Sequence, residues 1–232
     1  MKTVGIIGAR GYVGGELTEL LASHEGFDLE WVSSRKLAGE SVSEHVDGYE
    51  GELAYEEISP DEAASRGADV CVLALPNGVS EEFIPTIEKE NPEAVLVDLS
   101  TDHRFDDGWV YGQTERCRKS LEGARRISNP GCYATAMQLG LWPVADLVDG
   151  RPHCFGVSGY SGAGTEPSPK NDTERLRDNL MPYSLTGHTH QTEVGHNLGL
   201  PVYFTPAVGD WFRGIELVIS AQLRDDYSIE EI

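Results

Sequence analysis

The stretch Val4-Gly5-Ile6-Ile7-Gly8-Ala9-Arg10-Gly11-Tyr12-Val13-Gly14 decides the fold of this 232-residue chain. Its apolar start, Val4–Ile7, is typical of a strand that is buried on both faces. A Gly-x-x-Gly-x-x-Gly turn follows, and then apolar residues at helical spacing. A strand, a glycine-rich turn and a helix in this order predict a dinucleotide-binding unit whose helix N-terminus holds the pyrophosphate, rather than a tight turn without a ligand.

The same alternation of buried strands and helices continues through the first half of the chain. Strands are expected at Leu29–Val32, Asp69–Leu75 and Ala94–Leu99, with a helix over Ser80–Glu90, whereas Leu37–Glu57 reads as loops and weak strands. This order predicts an α/β fold, a Rossmann-type doubly wound parallel sheet.

In the second half of the chain, the sequence changes to alternating strand-like patterns and a Gly/Ser/Pro loop. This change predicts a second domain of the α+β class with a mixed or antiparallel sheet. The expected domains are residues 1–149 and residues 150–232. Strand-like patterns occur at Cys154–Gly159, Tyr183–His190, Val202–Thr205 and Gly214–Leu223, and a Gly/Ser/Pro loop occupies Tyr160–Pro169. A capping box at Ser228–Glu231 predicts that a helix opens where the sequence stops, so the second domain is expected to be truncated.

Composition narrows the class of protein. Asp and Glu outnumber Lys and Arg by 39 to 18, which argues against a nucleic-acid partner and favours an acidic surface of the kind found in a salt-rich (halophilic) cytosol. The cysteines at 71, 117, 132 and 154 form no Cys-x-x-Cys pair, so neither a disulfide framework nor a zinc site is predicted. Because there is no signal peptide and no long apolar run, we expect a cytoplasmic protein without a membrane segment.

One cysteine is placed for reactivity. In Ile127-Ser-Asn-Pro-Gly-Cys-Tyr-Ala-Thr135, a Pro-Gly corner delivers Cys132 to the start of a predicted helix. The helix dipole and the N–H groups of the first turn stabilise an anion there, and the thiolate is the nucleophilic form of cysteine. A small buried cysteine with a structural role is the alternative.

Polar groups in three further segments complete the predicted chemistry. Ser34, Arg35 and Lys36 end the second strand where an NAD enzyme places an acid, so they favour the 2′-phosphate of NADP. His188 and His190 would face the same side of a strand, where either could supply an acid/base group. A metal site is not favoured, because the sequence has no third ligand at a supporting spacing. Arg104 follows the carboxyl end of a predicted strand, where ligands of such sheets bind, so it could bind a substrate anion. A surface ion pair is the alternative role.

These stretches resemble the N-acetyl-γ-glutamyl-phosphate reductase family. The resemblance rests on Gly8–Gly14, Ser33–Gly39, Ala74–Gly78, Asp98–Phe105, Ile127–Pro143, Ser161–Gly164 and His188–Glu193. Two segments, Thr165–Pro169 and Ser184–His188, look more like a sister branch whose aminoadipyl or glutamyl phosphate is carried on a small acidic amino-group carrier protein, in lysine or arginine biosynthesis.

The resemblance implies an NADPH-dependent reduction of an acyl phosphate to a semialdehyde through a thioester on Cys132. It implies His188 as the acid/base, with Glu193 to orient it and His190 as the fallback. The implied cofactor residues are Gly8, Arg10, Gly11, Tyr12, Val13, Gly14, Ser34, Arg35, Lys36 and Pro76. The implied substrate residues are Arg104, Asn129, Ser161, Gly162 and Arg213.

Family members are expected to be dimers or tetramers and to continue beyond the length of this chain. We therefore carry three hypotheses forward from the sequence. The first is a reductase for a carrier-bound substrate. The second is the same chemistry on the free acetylated substrate, with aspartate-semialdehyde dehydrogenase as a more distant relation. The third is a catalytically impaired remnant that binds NADP or the carrier.

Overall fold

A computed structural model describes residues 1–225, 227 and 228 of the chain. They form two compact units, residues 1–130 and the described residues from 131 onward. The division falls earlier than the predicted boundary between residues 149 and 150, and the cysteine helix belongs to the second unit. The physical reason is packing, since Tyr133, Ala134, Met137 and Leu141 of that helix are core residues of the second unit. The capping box predicted at Ser228–Glu231 lies largely outside the described residues.

The first unit is a seven-stranded sheet with strand order β3-β2-β1-β4-β5-β7-β6. Every strand pair in it is parallel, which confirms the predicted α/β class. Its strands are β1 (Lys2–Ile7), β2 (Phe27–Ser33), β3 (Tyr55–Glu56), β4 (Val70–Leu73), β5 (Val95–Asp98), β6 (Val110–Tyr111) and β7 (Arg126–Ser128). Its helices are α1 (Tyr12–Ala22), α2 (Pro60–Arg66), α3 (Ile84–Glu90) and α4 (Thr114–Leu121).

Alternating side chains of the central strands enter two separate cores. Ile7 packs in one core with residues of α2 and α3, whereas Val4 and Ile6 pack in the other with Leu21 of α1. Because successive side chains of a strand point to opposite faces, the two cores lie on the two faces of the sheet. This is the reason that the strands read as continuous apolar runs.

The second unit has a four-stranded mixed sheet with strand order β11-β8-β10-β9. Strand β10 runs parallel to β8, and β9 and β11 are antiparallel to their neighbours. The elements in chain order are α5 (Cys132–Leu141), β8 (Val148–Ser158), α6 (Thr173–Leu176), β9 (Met181–Pro182), α7 (Thr189–Leu198), β10 (Tyr203–Val208) and β11 (Ile215–Leu223).

The predicted strand over Tyr183–His190 is wrong. The nearest strand, the two-residue β9, ends at Pro182 before this range begins, and His188 is instead the N-cap of α7. Gly187, with a φ of 69°, separates the two elements. A left-handed glycine breaks an extended run, and the apolar/polar alternation in this segment comes from a loop.

Candidate active site

The glycine-rich turn of the first unit has the geometry that a phosphate-binding turn requires. Gly8 has a φ of 86°, and a Cβ on it would lie 2.4 Å from the carbonyl oxygen of Ala74. A Cβ on Gly14 would lie 2.4 Å from the carbonyl oxygen of Ala9. Gly11 is the N-cap of α1 without a side-chain cap, and a Cβ on it would meet nothing within 4 Å. The backbone around Gly11 is therefore open to a ligand oxygen, as a pyrophosphate needs.

The end of β2 supports this turn and is followed in the chain by two cations. Ser33, the last residue of β2, accepts a hydrogen bond at Oγ from the Gly8 N–H at 3.2 Å, a contact that the sequence did not predict. The buried Ser34 accepts at Oγ from the Leu37 N–H at 3.2 Å, so this hydroxyl shapes the turn. Arg35 and Lys36 are both exposed.

The other predicted cofactor residues lie on the same turn or at the end of β4. Arg10 and Tyr12 are half-buried, Val13 is exposed, and Pro76 is exposed just after β4. All of them follow the carboxyl ends of parallel strands, which meet at one edge of a sheet. The first unit thus gathers the predicted nucleotide residues at a single edge.

A buried polar cluster at the end of β5 was only partly anticipated. Asp98, with 0 % of its surface exposed, accepts from the hydroxyl of Ser100 at 2.7 Å and lies 2.6 Å from Nδ1 of His103. The other ring nitrogen of His103 lies 2.9 Å from a Glu81 carboxylate oxygen, and the ring stacks on Trp109. Burial alone would lower the pKa of His103, but the hydrogen bonds to Asp98 and Glu81 outweigh it and raise that pKa.

Arg104 is buried, and two of its guanidinium nitrogens donate to main-chain carbonyls. Nε donates to the Asn129 carbonyl at 2.8 Å, and Nη2 donates to the Leu99 carbonyl at 3.2 Å. Asn129 is itself exposed, and its amide donates to the Pro130 carbonyl at 3.2 Å. Arg104 therefore fixes the backbone that leads out of β7, in addition to any contact with a substrate.

In the second unit, Cys132 is the first residue of α5, as predicted, and is exposed. The N-cap residue, Gly131, has no side chain to cap the helix. Its N–H donates at 2.8 Å to Glu193, which is fully buried on α7. Glu193 was expected to orient the catalytic histidine, whereas this contact places its carboxylate on the start of the cysteine helix.

His188 and His190 come together although they do not lie on a strand. Their ring centroids are 4.8 Å apart, and Nδ1 of His188 accepts from the His190 N–H at 3.2 Å. A ring nitrogen that accepts a hydrogen bond carries no proton, so a neutral His188 carries its proton on Nε2. Burial, assisted by the positive charge of Lys170, lowers the pKa of His188 and favours this neutral form.

Two tyrosines that sequence reasoning missed connect the cysteine to the histidines. The Tyr133 hydroxyl donates to the Ala207 carbonyl at 2.8 Å, and its ring centroid is 6.4 Å from that of His188. The Tyr183 ring centroid is 5.8 Å from the same imidazole. Burial raises the pKa of both tyrosines, and a negative charge on Cys132 raises it further. The cysteine, the histidines and both phenols therefore form one cluster.

The remaining predicted substrate residues of this unit lie around the end of β8. Ser161 and Gly162 are in the 3₁₀ turn Tyr160–Ala163, and the Ser161 N–H donates to the Phe212 carbonyl at 3.0 Å. Arg213 is exposed, with its guanidinium 5.7 Å from the centroid of the Phe212 ring. A main-chain hydrogen bond thus joins the segment of residues 211–213, which contains Arg213, to the turn that contains Ser161 and Gly162.

Within residues 1–225, 227 and 228, three side chains with possible metal-ligand atoms lie close together, the exposed Glu40, Glu44 and His45. This group does not include His188 or His190. Across the same described residues, no helix combines the length and the apolar character that are needed to cross a bilayer.

Two family descriptions match this chain. Residues 3–124 match the NAD binding domain of semialdehyde dehydrogenase, and residues 132–232 match the semialdehyde dehydrogenase dimerisation domain. The boundary between the two matches agrees with the structural division after residue 130.

Named relatives and solved structures resemble the chain over nearly all of its length. It is 54% identical to an N-acetyl-gamma-glutamyl-phosphate reductase of Xanthomonas campestris, covering 99% of this chain and 73% of the relative. The chain is also 50% identical to the N-acetyl-gamma-glutamyl-phosphate reductase of Xylella fastidiosa, and the match covers 99% of this chain and 69% of the relative. Aspartate semialdehyde dehydrogenase II from Vibrio cholerae has the same fold, with a TM-score of 0.78, 17% identity and coverage of 99% and 77%. The Candida albicans aspartate semialdehyde dehydrogenase with NADP gives a TM-score of 0.72 at 13% identity, over 98% and 73%.

Proposed function

The chain belongs to the semialdehyde dehydrogenase family, and we propose that it reduces N-acetyl-γ-glutamyl phosphate to the semialdehyde with NADPH. One observation of the structure carries the proposal: Cys132 is exposed at the first residue of a helix, where a thiolate is stabilised. The names of relatives with 50% and 54% identity supply the substrate.

The substrate assignment revises the preference drawn from the sequence. Thr165–Pro169 and Ser184–His188 favoured an acyl phosphate on a carrier protein, in lysine or arginine biosynthesis. The named relatives support the acetylated substrate, and therefore arginine biosynthesis, instead. The carrier-bound substrate remains the competing hypothesis and enters the experiment below.

Residues of the second unit perform the formation of the thioester in the proposed reaction. The Cys132 thiolate attacks the acyl carbon, the bond from that carbon to the phosphate oxygen breaks, and phosphate leaves behind a thioester. The negative charge that develops on the carbonyl oxygen faces the N-terminal turn of α5, whose first N–H groups have no intrahelical acceptor. The Gly131 N–H is already bound to Glu193, so we assign this role to the other main-chain amides of that turn, those of Cys132, Tyr133 and Ala134.

His188 is proposed as the proton donor of the site. Its Nε2 carries the proton in the neutral ring, because Nδ1 accepts from the His190 N–H. A neutral donor suits an oxygen that becomes negative in the transition state. In this assignment, His190 acts through its main chain on the tautomer of His188, and Glu193 fixes the helix that carries the nucleophile.

The cofactor residues of the first unit fit NADP. The open backbone at Gly11 and the close packing at Gly8 and Gly14 suit a pyrophosphate, and the exposed Arg35 and Lys36 suit the 2′-phosphate. When bound, NADPH supplies the hydride that reduces the thioester to the aldehyde and releases the thiolate.

The match to a dimerisation domain supports a homo-oligomer, and the second unit offers a face for it. Phe155 of β8 and Val218 of β11 are paired across the sheet, and they are exposed by 37% and 51%. Tyr203 of β10 is exposed by 53%. Exposed aromatic and β-branched side chains on a sheet are typical of an interface, and we propose that this face contacts another copy of the chain.

A coupled assay tests the proposed reaction. Enzyme would be given the free acetylated acyl phosphate, carrier-bound glutamyl phosphate or carrier-bound aminoadipyl phosphate, and NADPH consumption would be followed in high and low salt. We expect turnover of the free acetylated substrate, its loss in Cys132→Ala and its retention in Cys117→Ala, since Cys117 is a partly buried cysteine of the other unit. Turnover restricted to a carrier-bound substrate would replace the assignment by the competing one. An inert Cys132 with NADPH binding intact would identify a remnant.

A further inference from the structure

The site of the second unit contains a lysine that neither the sequence motifs nor the comparisons assign. Lys170 lies in the loop before α6 and is partly buried. Its ammonium nitrogen is 5.0 Å from the centroid of the Tyr183 ring, and that ring is 5.8 Å from the imidazole of His188. Lys170 therefore stands beside the cluster that contains Cys132.

Within the part of the chain that the structure describes, no carboxylate is paired with the charge of Lys170. No ion pair joins Lys170 to any acidic group among residues 1–225, 227 and 228, although the chain has 39 acidic and 18 basic residues. Lys2 and Lys89, by contrast, are both paired with carboxylates at 2.6 and 2.7 Å. The Lys170 ammonium is partly buried and lies against an aromatic ring rather than a carboxylate of the described residues. It is therefore available to the anion of a ligand.

The neighbouring imidazole responds to the same charge. The positive charge of Lys170 contributes, after burial, to the lowered pKa of His188. The field of the ammonium therefore reaches the groups at which the acyl phosphate would react. The anion nearest to those groups in the proposed substrate is the phosphoryl group, because the leaving oxygen is bonded to the carbon that the thiolate attacks.

We propose that Lys170 binds the phosphoryl group of the acyl phosphate and holds it beside Cys132 and His188. Lysine suits this task as a compact point charge, and phosphate is the ligand that such charges commonly hold. The proposal rests on the proposed function for the identity of the acyl phosphate, but the binding of an anion beside the cysteine does not. A carboxylate of the substrate is the other anion that an ammonium could hold, so the test separates the two.

Alkylation of Cys132 tests the proposal without turnover. The rate of Cys132 modification by anionic iodoacetate would be divided by the rate with neutral iodoacetamide, in the wild type and in K170M, K170R and K119M. Lys119 provides the matched control, because it is an exposed lysine of α4 in the first unit. We expect the ratio to fall about five- to tenfold in K170M, because this is the effect expected from the attraction between one cation and one anion at a partly hydrated site. The ratio should stay near the wild-type value in K170R and K119M.

A protection experiment identifies the anion. Inorganic phosphate is expected to slow iodoacetamide modification of Cys132 in the wild type and K170R, and to lose this effect in K170M. N-acetylglutamate, which has carboxylates and no phosphoryl group, should protect K170M as well as it protects the wild type. Loss of N-acetylglutamate protection with phosphate protection intact would overturn the proposal in favour of a carboxylate site. An unchanged alkylation ratio in K170M would overturn it entirely, whereas failure of the coupled assay alone would overturn the proposed function and not this binding site.

Discussion

Removal of the Glu193 carboxylate is expected to loosen the start of the cysteine helix. Glu193 is fully buried, and its Oε1 accepts from the Gly131 N–H at 2.8 Å. A hydrogen bond to a charged group contributes about 1.5–3 kcal/mol. In Glu193→Ala this contribution is lost and the Gly131 N–H loses its acceptor, whereas Glu193→Gln retains a neutral acceptor and should lose about half as much.

Hydrogen exchange at the Gly131 amide measures this contact directly. An opening free energy lowered by about 1.5–3 kcal/mol corresponds to exchange that is about 10- to 150-fold faster in Glu193→Ala, with Glu193→Gln in between. Turnover should fall in the same order, because the first residue after this N-cap is Cys132. Glu174→Ala is the matched control, since Glu174 lies in the same unit, is exposed and pairs with the exposed Arg177. Exchange at Gly131 that changes by less than twofold in Glu193→Ala would refute the reasoning.

Three further predictions follow from other parts of the molecule. Replacing both Arg35 and Lys36 by Ala should weaken binding of NADPH much more than that of NADH in a titration, and equal losses would remove the 2′-phosphate assignment. His188→Asn should lower the single-turnover rate of thioester reduction by about 10²–10⁴ and His190→Asn by less, and normal rates in both would exclude the segment from the mechanism. Because the pKa of His103 is raised in the folded protein, its stabilising contribution is present below the unfolded value of about 6.5 and is lost as pH rises through the folded pKa. The unfolding free energy of His103→Gln should therefore fall short of the wild type by more at about pH 5 than at about pH 9, and a deficit that grows with pH would contradict this sign.

The first unit and the start of the cysteine helix were predictable because their signals are local. The apolar run Val4–Ile7 and the glycines after it define a strand, a turn and a helix within one short stretch, and Pro130 and Gly131 mark the start of α5 in the same way. Contacts between distant residues carry no such signal. Nothing in the neighbourhood of Glu193 indicates that its carboxylate binds the Gly131 amide.

The expected strand at His188 failed for a related reason. Two histidines two residues apart alternate as in a strand, but the left-handed Gly187 and the capping by His188 itself start a helix there. Local polarity did not distinguish a capped helix start from an alternating strand. The domain boundary was also placed late, because the apolar side of α5 does not reveal in sequence which of two cores it enters.

The contact between Gly131 and Glu193 joins residues that are 62 positions apart, and this separation sets the order in which the nucleophile is assembled during translation. The cysteine leaves the ribosome well before the glutamate that fixes its helix, and before the histidines at 188 and 190. A nascent chain therefore exposes an ordinary thiol, and the clustered groups surround that thiol only after most of the second unit has been synthesised. Any fragment that stops short of α7 is expected to behave, toward electrophiles and oxidants, as an unactivated cysteine peptide.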